Sequence, residues 1–284
     1  MSQIDVSYGI LHYNPSSSVE ARDAFIRAVD SLAENRSDNL TSEVFIIDQG
    51  NPHREIETGQ GLAKRHGFNF ISLKENVGIS RGINLIAGMA RGRYVSLVTS
   101  DVFFTEGLDE SLIGTLERHH DIWQICPTSD KSDIPYQIEG FASGGVVLTL
   151  AQELTIQFWP RHVFDKVGYY DERWKACYEN LDYALRIFLA GGYAAISHEA
   201  FCPHDYHMCV RTGAREHSYD DYIGNNGEFD PTPLQAMWES KWPGLKHLID
   251  LYTPLTHDSN RVQEIMIAHY KNNIFLPYVQ NAGY

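Results

Sequence analysis

Four short apolar runs, each closed by polar or turn-forming residues and separated by segments of helical pattern, constrain this chain more than any other feature. Val6 to Leu11 (VSYGIL) runs into His12-Tyr13-Asn14-Pro15, and Glu43 to Asp48 (EVFIID) stops at Gln49-Gly50-Asn51-Pro52. Asn69 to Leu73 is the third run, and Arg93 to Val98 (RYVSLV) leads straight into Thr99-Ser100-Asp101. Apolar runs bounded in this way predict strands, buried ones for the first, second and fourth runs. Between them, Ser16 to Ser18 offer N-caps for a helix over Val19–Asn35, with Phe25, Ile26, Val29 and Leu32 at helical spacing. Ile56–His66 and Ile79–Arg91 follow the same pattern, the latter with Ile83, Ile86, Ala87 and Ala90 on one face. Strand and helix alternating at about 20 to 30 residues per unit predict a parallel sheet with crossover helices. Such sheets bind ligands at the carboxyl ends of their strands. His12-Tyr13-Asn14, Asp48 and Asp101 are therefore expected to converge although they lie far apart in sequence.

Beyond residue 105 the pattern loosens. Ile122–Cys126 and Val146–Leu150 read as strands, Pro160–Val167 as a short helix, and Asn180–Leu189 as a longer helix ended by Gly191-Gly192. Tyr193–Ser197 and Ala200–Pro203 read as two short strands, and the chain turns helical again from Thr232, with Trp238 and Trp242 as apolar anchors. Arg211 to Asp230, rich in Gly, Asn and Asp, reads as a mobile loop. A length of 284 residues suits one large α/β domain, or one domain with a helical appendage.

Charge narrows the partners. A net charge of -14 repels nucleic-acid phosphates and anionic lipid head groups, and it makes a bridging cation useful to any anionic nucleotide that binds. The four cysteines (Cys126, Cys177, Cys202 and Cys209) include no CxxC pair, which argues for reduced thiols rather than a zinc ribbon or a redox motif. The first residues lack the basic and apolar regions of a signal peptide, and no apolar stretch reaches the roughly 18 residues of a membrane helix, so the expected location is cytoplasmic. GxxxxGK[ST] and GxSxG motifs are absent, and Gly59-Gln60-Gly61 does not continue as GxGxxG.

Several residues could carry chemistry. Asp101, at a strand end between apolar residues, suits a divalent cation held against a diphosphate, though a turn Asp would look the same. Asp48 could accept the imide N–H of a uracil-like base or simply close a turn. Glu179 and Asp182 lie three apart at a helix start, on one face. The helix dipole alone would favour acids there, and a carboxylate beside a donor could equally act as general base. His198, His204 and His207 cluster in ISHEAFCPHDYH, which is not HExxH; His204 or His207 could offer a nitrogen to a metal.

Taken in order, seven segments resemble the glycosyltransferase family 2-like, GT-A fold, including its rhamnosyltransferase-like nucleotide-sugar transferases. They are VSYGILHYN, EVFIIDQGN, ENVGISRGIN, GRYVSLVTSDVFF, FDKVGYYDERWKACYENLDYALRIFLAGG, CPHDYH and SKWPG, spread over roughly residues 4 to 245. The resemblance implies an α/β, GT-A type, Rossmann-like and mostly parallel sheet flanked by helices, with a C-terminal helical extension. In domain terms it implies a glycosyltransferase domain over 1–245, with a nucleotide-binding half at 1–105 and an acceptor or catalytic half at 106–210, followed by an extension at 246–284. It further implies a metal-dependent hexosyl- or pentosyltransferase that moves sugar, with inversion, from a nucleotide-sugar donor to an acceptor hydroxyl. A UDP-sugar is the first choice of donor. Carried over by residue, Asp48 contacts the base and Tyr13 lines the nucleoside pocket. Gly78 and Arg81 approach the diphosphate, Ser100 and Asp101 complete the donor site, and Asp101 with His204 holds Mn²⁺ or Mg²⁺. Glu179 or Asp182 would serve as catalytic base.

Two positions depart from the family pattern. Thr99 replaces the first acid of its D-x-D element, and Asn180 replaces the second acid of its E-D pair. The second departure keeps a rival reading in play, a nucleotide- or glycan-binding protein of the same fold without catalysis. A nucleotidyltransferase is the other rival, but HYNPSSS offers neither the Gly nor the Lys of a phosphate loop. The acceptor could be a glycan, a lipid-linked glycan, a protein or a modified base. The tail beyond Pro243 carries an apolar stripe (Leu248, Leu251, Ile265, Ile267, Ile274) that suits docking on the core or formation of a homodimer.

Overall fold

Strands that are buried along their whole length need cover on both faces, and this requirement shapes the molecule. The computed structural model describes residues 3–132, 134, 137–140, 145–150, 152–175, 177–205 and 231–245. His207, Cys209, the expected loop over 211–230 and the expected extension over 246–284 lie outside the described residues. The elements run β1 (Val6–His12), α1 (Val19–Asn35), β2 (Ser42–Gln49), α2 (His53–His66), β3 (Asn69–Leu73), α3 (Ile79–Met89) and β4 (Tyr94–Thr99). They continue with α4 (Leu108–Arg118), β5 (Ile122–Ser129), β6 (Val146–Leu148), β7 (Ile156–Pro160), α5 (His162–Val167), α6 (Glu179–Leu189), β8 (Tyr193–Cys202) and α7 (Thr232–Lys241).

The eight strands among the described residues form one sheet in the order β3-β2-β1-β4-β7-β5-β8-β6. β1, β2, β3 and β4 pair in parallel, as do β5 and β8; β7 runs antiparallel between β4 and β5, and β6 is an antiparallel edge. Alternate residues of the central strands point to opposite faces. Tyr8, Ile10, Val44 and Ile46 pack with Phe25, Val29 and Leu32 of α1, Leu62 of α2 and Leu112 and Leu116 of α4. On the other face Leu11, Phe45, Ile47, Val95 and Leu97 meet Ile83 and Ile86 of α3, Val163 and Phe164 of α5 and Tyr183 and Ile187 of α6. At Gly9 a Cβ atom would lie 2.3 Å from the Ile86 side chain, so glycine there lets α3 settle directly on β1. A third cluster of Trp174, Leu181, Leu185, Trp238, Trp242 and Leu245 docks α7 on α6.

The first hundred residues match the sequence expectation closely, and the second half departs from it in three places. β7 was not expected, because Gln157 interrupts its apolar run; the buried amide accepts from Gln124 Nε2 at 3.1 Å and donates to Glu153 O at 3.1 Å. Pro160 therefore ends a strand, and the short helix begins only at His162. α4 carries Leu108, Leu112 and Leu116 at helical spacing but is entered through Gly107 at φ 73°, without the side-chain cap that flags a helix start. The two strands expected over 193–203 form the single strand β8, whose polar His198-Glu199 step falls within an irregularity opposite Pro127 and Thr128.

Candidate donor and metal site

The strand order turns around at β1, with β2 and β3 on one side and β4 on the other, which places the crevice of an open α/β sheet at the ends of β1 and β4. His12 pairs with Asp48 across β1 and β2, and Leu11 pairs with Thr99 across β1 and β4. Tyr13, Asp48, Ser100 and Asp101 thus all lie at or just beyond the ends of adjacent strands, as expected from sequence.

Asp48 is buried and bound on both carboxylate oxygens. Asn51 Nδ2 donates to its Oδ1 at 2.6 Å, and Ser72 Oγ donates to its Oδ2 at 2.9 Å. Asn51 Nδ2 also donates to His12 O at 3.0 Å, and Asn51 Oδ1 accepts from the Asn14 backbone at 2.6 Å. Below this loop His12 stacks on Phe25, with ring centroids 3.7 Å apart, and its Nε2 lies 3.5 Å from Glu55 Oε2. Glu55 in turn is fully buried against Arg22.

Gly78 opens α3 at φ 82°, and a Cβ there would lie 2.9 Å from Lys175 O, so a glycine is required where the helix start meets the 171–175 loop. Ile79 N donates to that same carbonyl at 3.0 Å. Arg81 is exposed, with Nε 3.8 Å from Glu172 Oε2. Asn84 clamps the loop from inside, donating to Tyr170 O at 2.9 Å and accepting from Tyr170 N at 2.8 Å.

The late CPHD segment folds back onto the end of β4. Val102 and His204 form an antiparallel bridge, Phe103 N donates to Pro203 O at 2.9 Å, and Asp205 N donates to Asp101 O at 2.8 Å. This pairing brings His204 Nε2 to 3.7 Å from Asp101 Oδ2. His204 Nδ1 faces Lys131 O at 3.3 Å. A carbonyl only accepts, so Nδ1 carries a proton there, and Nε2 either donates to Asp101 when protonated or has a lone pair to offer a cation when not. Burial depresses the proton affinity of His204, but the neighbouring Asp101 carboxylate outweighs it and the net shift is upward. The carboxylate suits Mn²⁺ or Mg²⁺, and an imidazole oriented by a backbone carbonyl is a ligand that a transition-metal ion such as Mn²⁺ takes more readily than Mg²⁺ does. Two ligands each about 2.1 Å from one ion can span the observed separation. Among the described residues no third His, Cys, Asp or Glu joins them. His198 sits in β8, where its backbone N–H donates to Gly145 O at 2.9 Å.

The acids of α6 part company. Glu179 is buried at the first position of the helix, and among the described residues its Oε2 has no hydrogen-bond partner. Burial pushes its carboxyl up from 4.5 to about 7, against the pull of its own backbone N–H. Asp182 is fully buried and engaged elsewhere, accepting from Trp242 Nε1 at 2.8 Å and lying 2.6 Å from Lys241 Nζ. Lys241 also reaches Asp171 Oδ2 at 2.7 Å; hydrogen bonds from Arg173 and then Lys241 hold the Asp171 carboxyl well below the usual range. Asn180 faces neither group. Its Oδ1 accepts from Tyr170 OH at 3.2 Å and its Nδ2 donates to Gln152 O at 3.1 Å.

Sequence reasoning gave no role to Asn51, Ser72, Asp130 or Lys241. Asp130 Oδ1 accepts from His204 N at 2.9 Å and so steadies the histidine's backbone. Lys241 left a trace in the sequence within SKWPG and Asn51 within EVFIIDQGN; Ser72 and Asp130 make contacts between distant segments that no local pattern announces.

Comparison with known proteins places this geometry. Residues 17–175, more than half of the chain, match the family described as glycosyl transferase family 2. The match takes in Asp48, Gly78, Arg81 and Asp101 and ends just before Glu179. A search of curated proteins finds no matching relative. Among solved structures, Staphylococcus aureus TarS (residues 1–349) is similar with a TM-score of 0.56 at 12% identity, over 95% of this chain and 92% of that one. Its complex with UDP-GlcNAc gives a TM-score of 0.57 at 12% identity, with the same coverage of both chains. GalNAc-T7 with UDP, GalNAc and Mn²⁺ gives a TM-score of 0.62 at 11% identity, over 97% of this chain and 58% of that one. The helix-flanked, mostly parallel sheet is the GT-A fold these glycosyltransferases share. On the family match, the chain belongs to glycosyl transferase family 2.

Proposed function

We propose that this glycosyltransferase moves a sugar from a UDP-sugar to an acceptor hydroxyl, with inversion and with help from a divalent cation. The observation that carries the reading is the meeting of Asp101 Oδ2 and His204 Nε2, 3.7 Å apart beyond the end of β4. The solved complexes of similar fold, TarS with UDP-GlcNAc and GalNAc-T7 with UDP, GalNAc and Mn²⁺, support the choice of donor and metal.

In this reading residues 1–105 hold the donor and residues 106–210 supply the acceptor side. Asp48 accepts from the imide of the base, Tyr13 lines the nucleoside pocket, and Gly78, Arg81 and Ser100 border the diphosphate. Asp101 and His204 would hold Mn²⁺ or Mg²⁺; when bound, the cation offsets the charge that builds on the departing diphosphate. The acceptor oxygen attacks the anomeric carbon as the bond from that carbon to the phosphate oxygen breaks, and Glu179 takes the acceptor's proton. A carboxyl titrating near 7 is suited to that task at neutral pH. Asp182, committed to Lys241 and Trp242, is a structural acid in this scheme. Because the Asn180 amide is consumed by Tyr170 and Gln152, its replacement of an acid takes nothing from Glu179, which weakens the case for a binder without catalysis.

The test is release of UDP from a panel of UDP-sugars by the purified chain, with Mn²⁺ and then with a chelator. Turnover with the metal and its loss on chelation are expected. No turnover with any nucleotide sugar, together with no thermal shift on adding UDP and Mn²⁺, would contradict the proposal.

A further inference from the structure

We propose that Asn51 is a positioning residue of the donor site, setting both walls of the base pocket through one amide. The inference rests on the reading that Asp48 and Tyr13 face the nucleoside. Those two residues lie on different strand ends, and nothing in the sequence links them. Asn51 does so with every kind of group it has. One amide proton goes to Asp48 Oδ1 at 2.6 Å and the other to His12 O at 3.0 Å, while its own Oδ1 accepts from Asn14 N at 2.6 Å. Tyr13 is the residue between His12 and Asn14, so Asn51 holds the peptides on both sides of it.

Asn51 is itself held firmly enough to do this. Gly50, before it, has φ 71° and approaches the Glu75 backbone so closely that a Cβ would lie 2.6 Å from Glu75 Cα. Pro52, after it, restricts the backbone of the preceding residue and caps α2. Asn51 is buried, so water does not compete for these bonds. Aspartate at this position has the same shape but donates nothing and would set a second carboxylate against Asp48; serine is too short to reach three partners. Ser72 completes the fixation from β3 by binding the other Asp48 oxygen at 2.9 Å.

The experiment is calorimetric titration of the full chain, with Mn²⁺ present, using two probes, UDP and inorganic pyrophosphate. Asn51→Asp should weaken UDP binding about tenfold or more, the loss expected when hydrogen bonds to a charged group go, and leave pyrophosphate within about twofold of wild type. A merely structural residue would lower both affinities together or only the melting temperature, and either result overturns the proposal. Should Asn51→Asp fail to fold, Ser72→Ala tests the same fixation with a smaller loss for UDP alone; equal losses for both probes, or none for UDP, again overturn it. A wild type that binds UDP no better than pyrophosphate overturns the base pocket itself, and Asn51's role with it. A wild type that binds UDP but transfers no sugar contradicts only the catalytic reading.

Discussion

The two halves of the chain hold their buried acids differently. In residues 1–105 each buried acid is held by a neighbour. Asp48 has Asn51 and Ser72, Glu43 has Ser7 and Arg91, and Glu55 has Arg22 on one oxygen, while Tyr8 OH reaches across to Asp109 of α4 at 2.6 Å. In residues 106–210, Glu179 is buried at the start of α6 and among the described residues its Oε2 has no hydrogen-bond partner, whereas the next acid, Asp182, has Trp242 and Lys241 on its Oδ1. A paired carboxylate fixes geometry; an unpaired one is kept chemically available at a cost in stability. The first half fixes its acids in place, and the second keeps one carboxyl that burial raises to about 7.

The comparison breaks most visibly at Glu179. Glu179→Gln should lower turnover by about 10² to 10⁴-fold, the usual size of a general-base contribution, with donor KM little changed in steady-state kinetics. The same substitution should stabilise the protein at high pH. The carboxyl is raised from 4.5 to about 7, so the folded chain binds the proton more tightly than the unfolded chain. Stability therefore falls as pH rises through that window, by roughly 3 kcal/mol for the whole shift, and the neutral amide escapes the penalty. Denaturant unfolding of both proteins at pH 5 and pH 8 checks the sign; an equal difference at the two pH values would count against it. Wild-type turnover should likewise rise with pH up to about 7, as the base loses its proton.

Next in size is Lys241→Met, which leaves Asp182 and Asp171 without the ammonium that joins them. Removing one partner from a buried charged network should cost about 3 kcal/mol in denaturant unfolding while UDP affinity stays at the wild-type value. The smallest effect expected is that of Tyr8→Phe, which takes the hydroxyl from Asp109 and should cost about 1 to 3 kcal/mol at neutral pH. A loss at Tyr8 beside a gain at Glu179 is the contrast between the halves expressed as two unfolding curves.

How much of this was legible in sequence follows the same division. In residues 1–105 strands and helical patterns alternate regularly and Ser18 caps α1, its Oγ accepting from Ala21 N at 3.4 Å, so strand and helix limits fell within a few residues of those observed. In the second half Gln157 concealed β7, and Gly107 concealed the start of α4. Asp101 and His204 are 103 positions apart, and only the resemblance to a family paired them; the backbone pairing of Val102 with His204 is what makes them neighbours. Glu179 and Asp182 looked equivalent because helical spacing places them on one side. Their different fates depend on α7, whose docking through Lys241 and Trp242 no local pattern could announce. The asparagine at 180 looked like lost chemistry in the sequence and is a core hydrogen-bonding residue in the fold.

A crystal of the chain soaked with a UDP-sugar and Mn²⁺ tests the central claim most directly. The account predicts the ion bound by the Asp101 carboxylate and His204 Nε2 against the diphosphate, the uracil at Asp48, and the anomeric carbon within reach of an acceptor oxygen that Glu179 can deprotonate. UDP bound away from the ends of β1 and β4, or a cation held by groups other than Asp101 and His204, would contradict it.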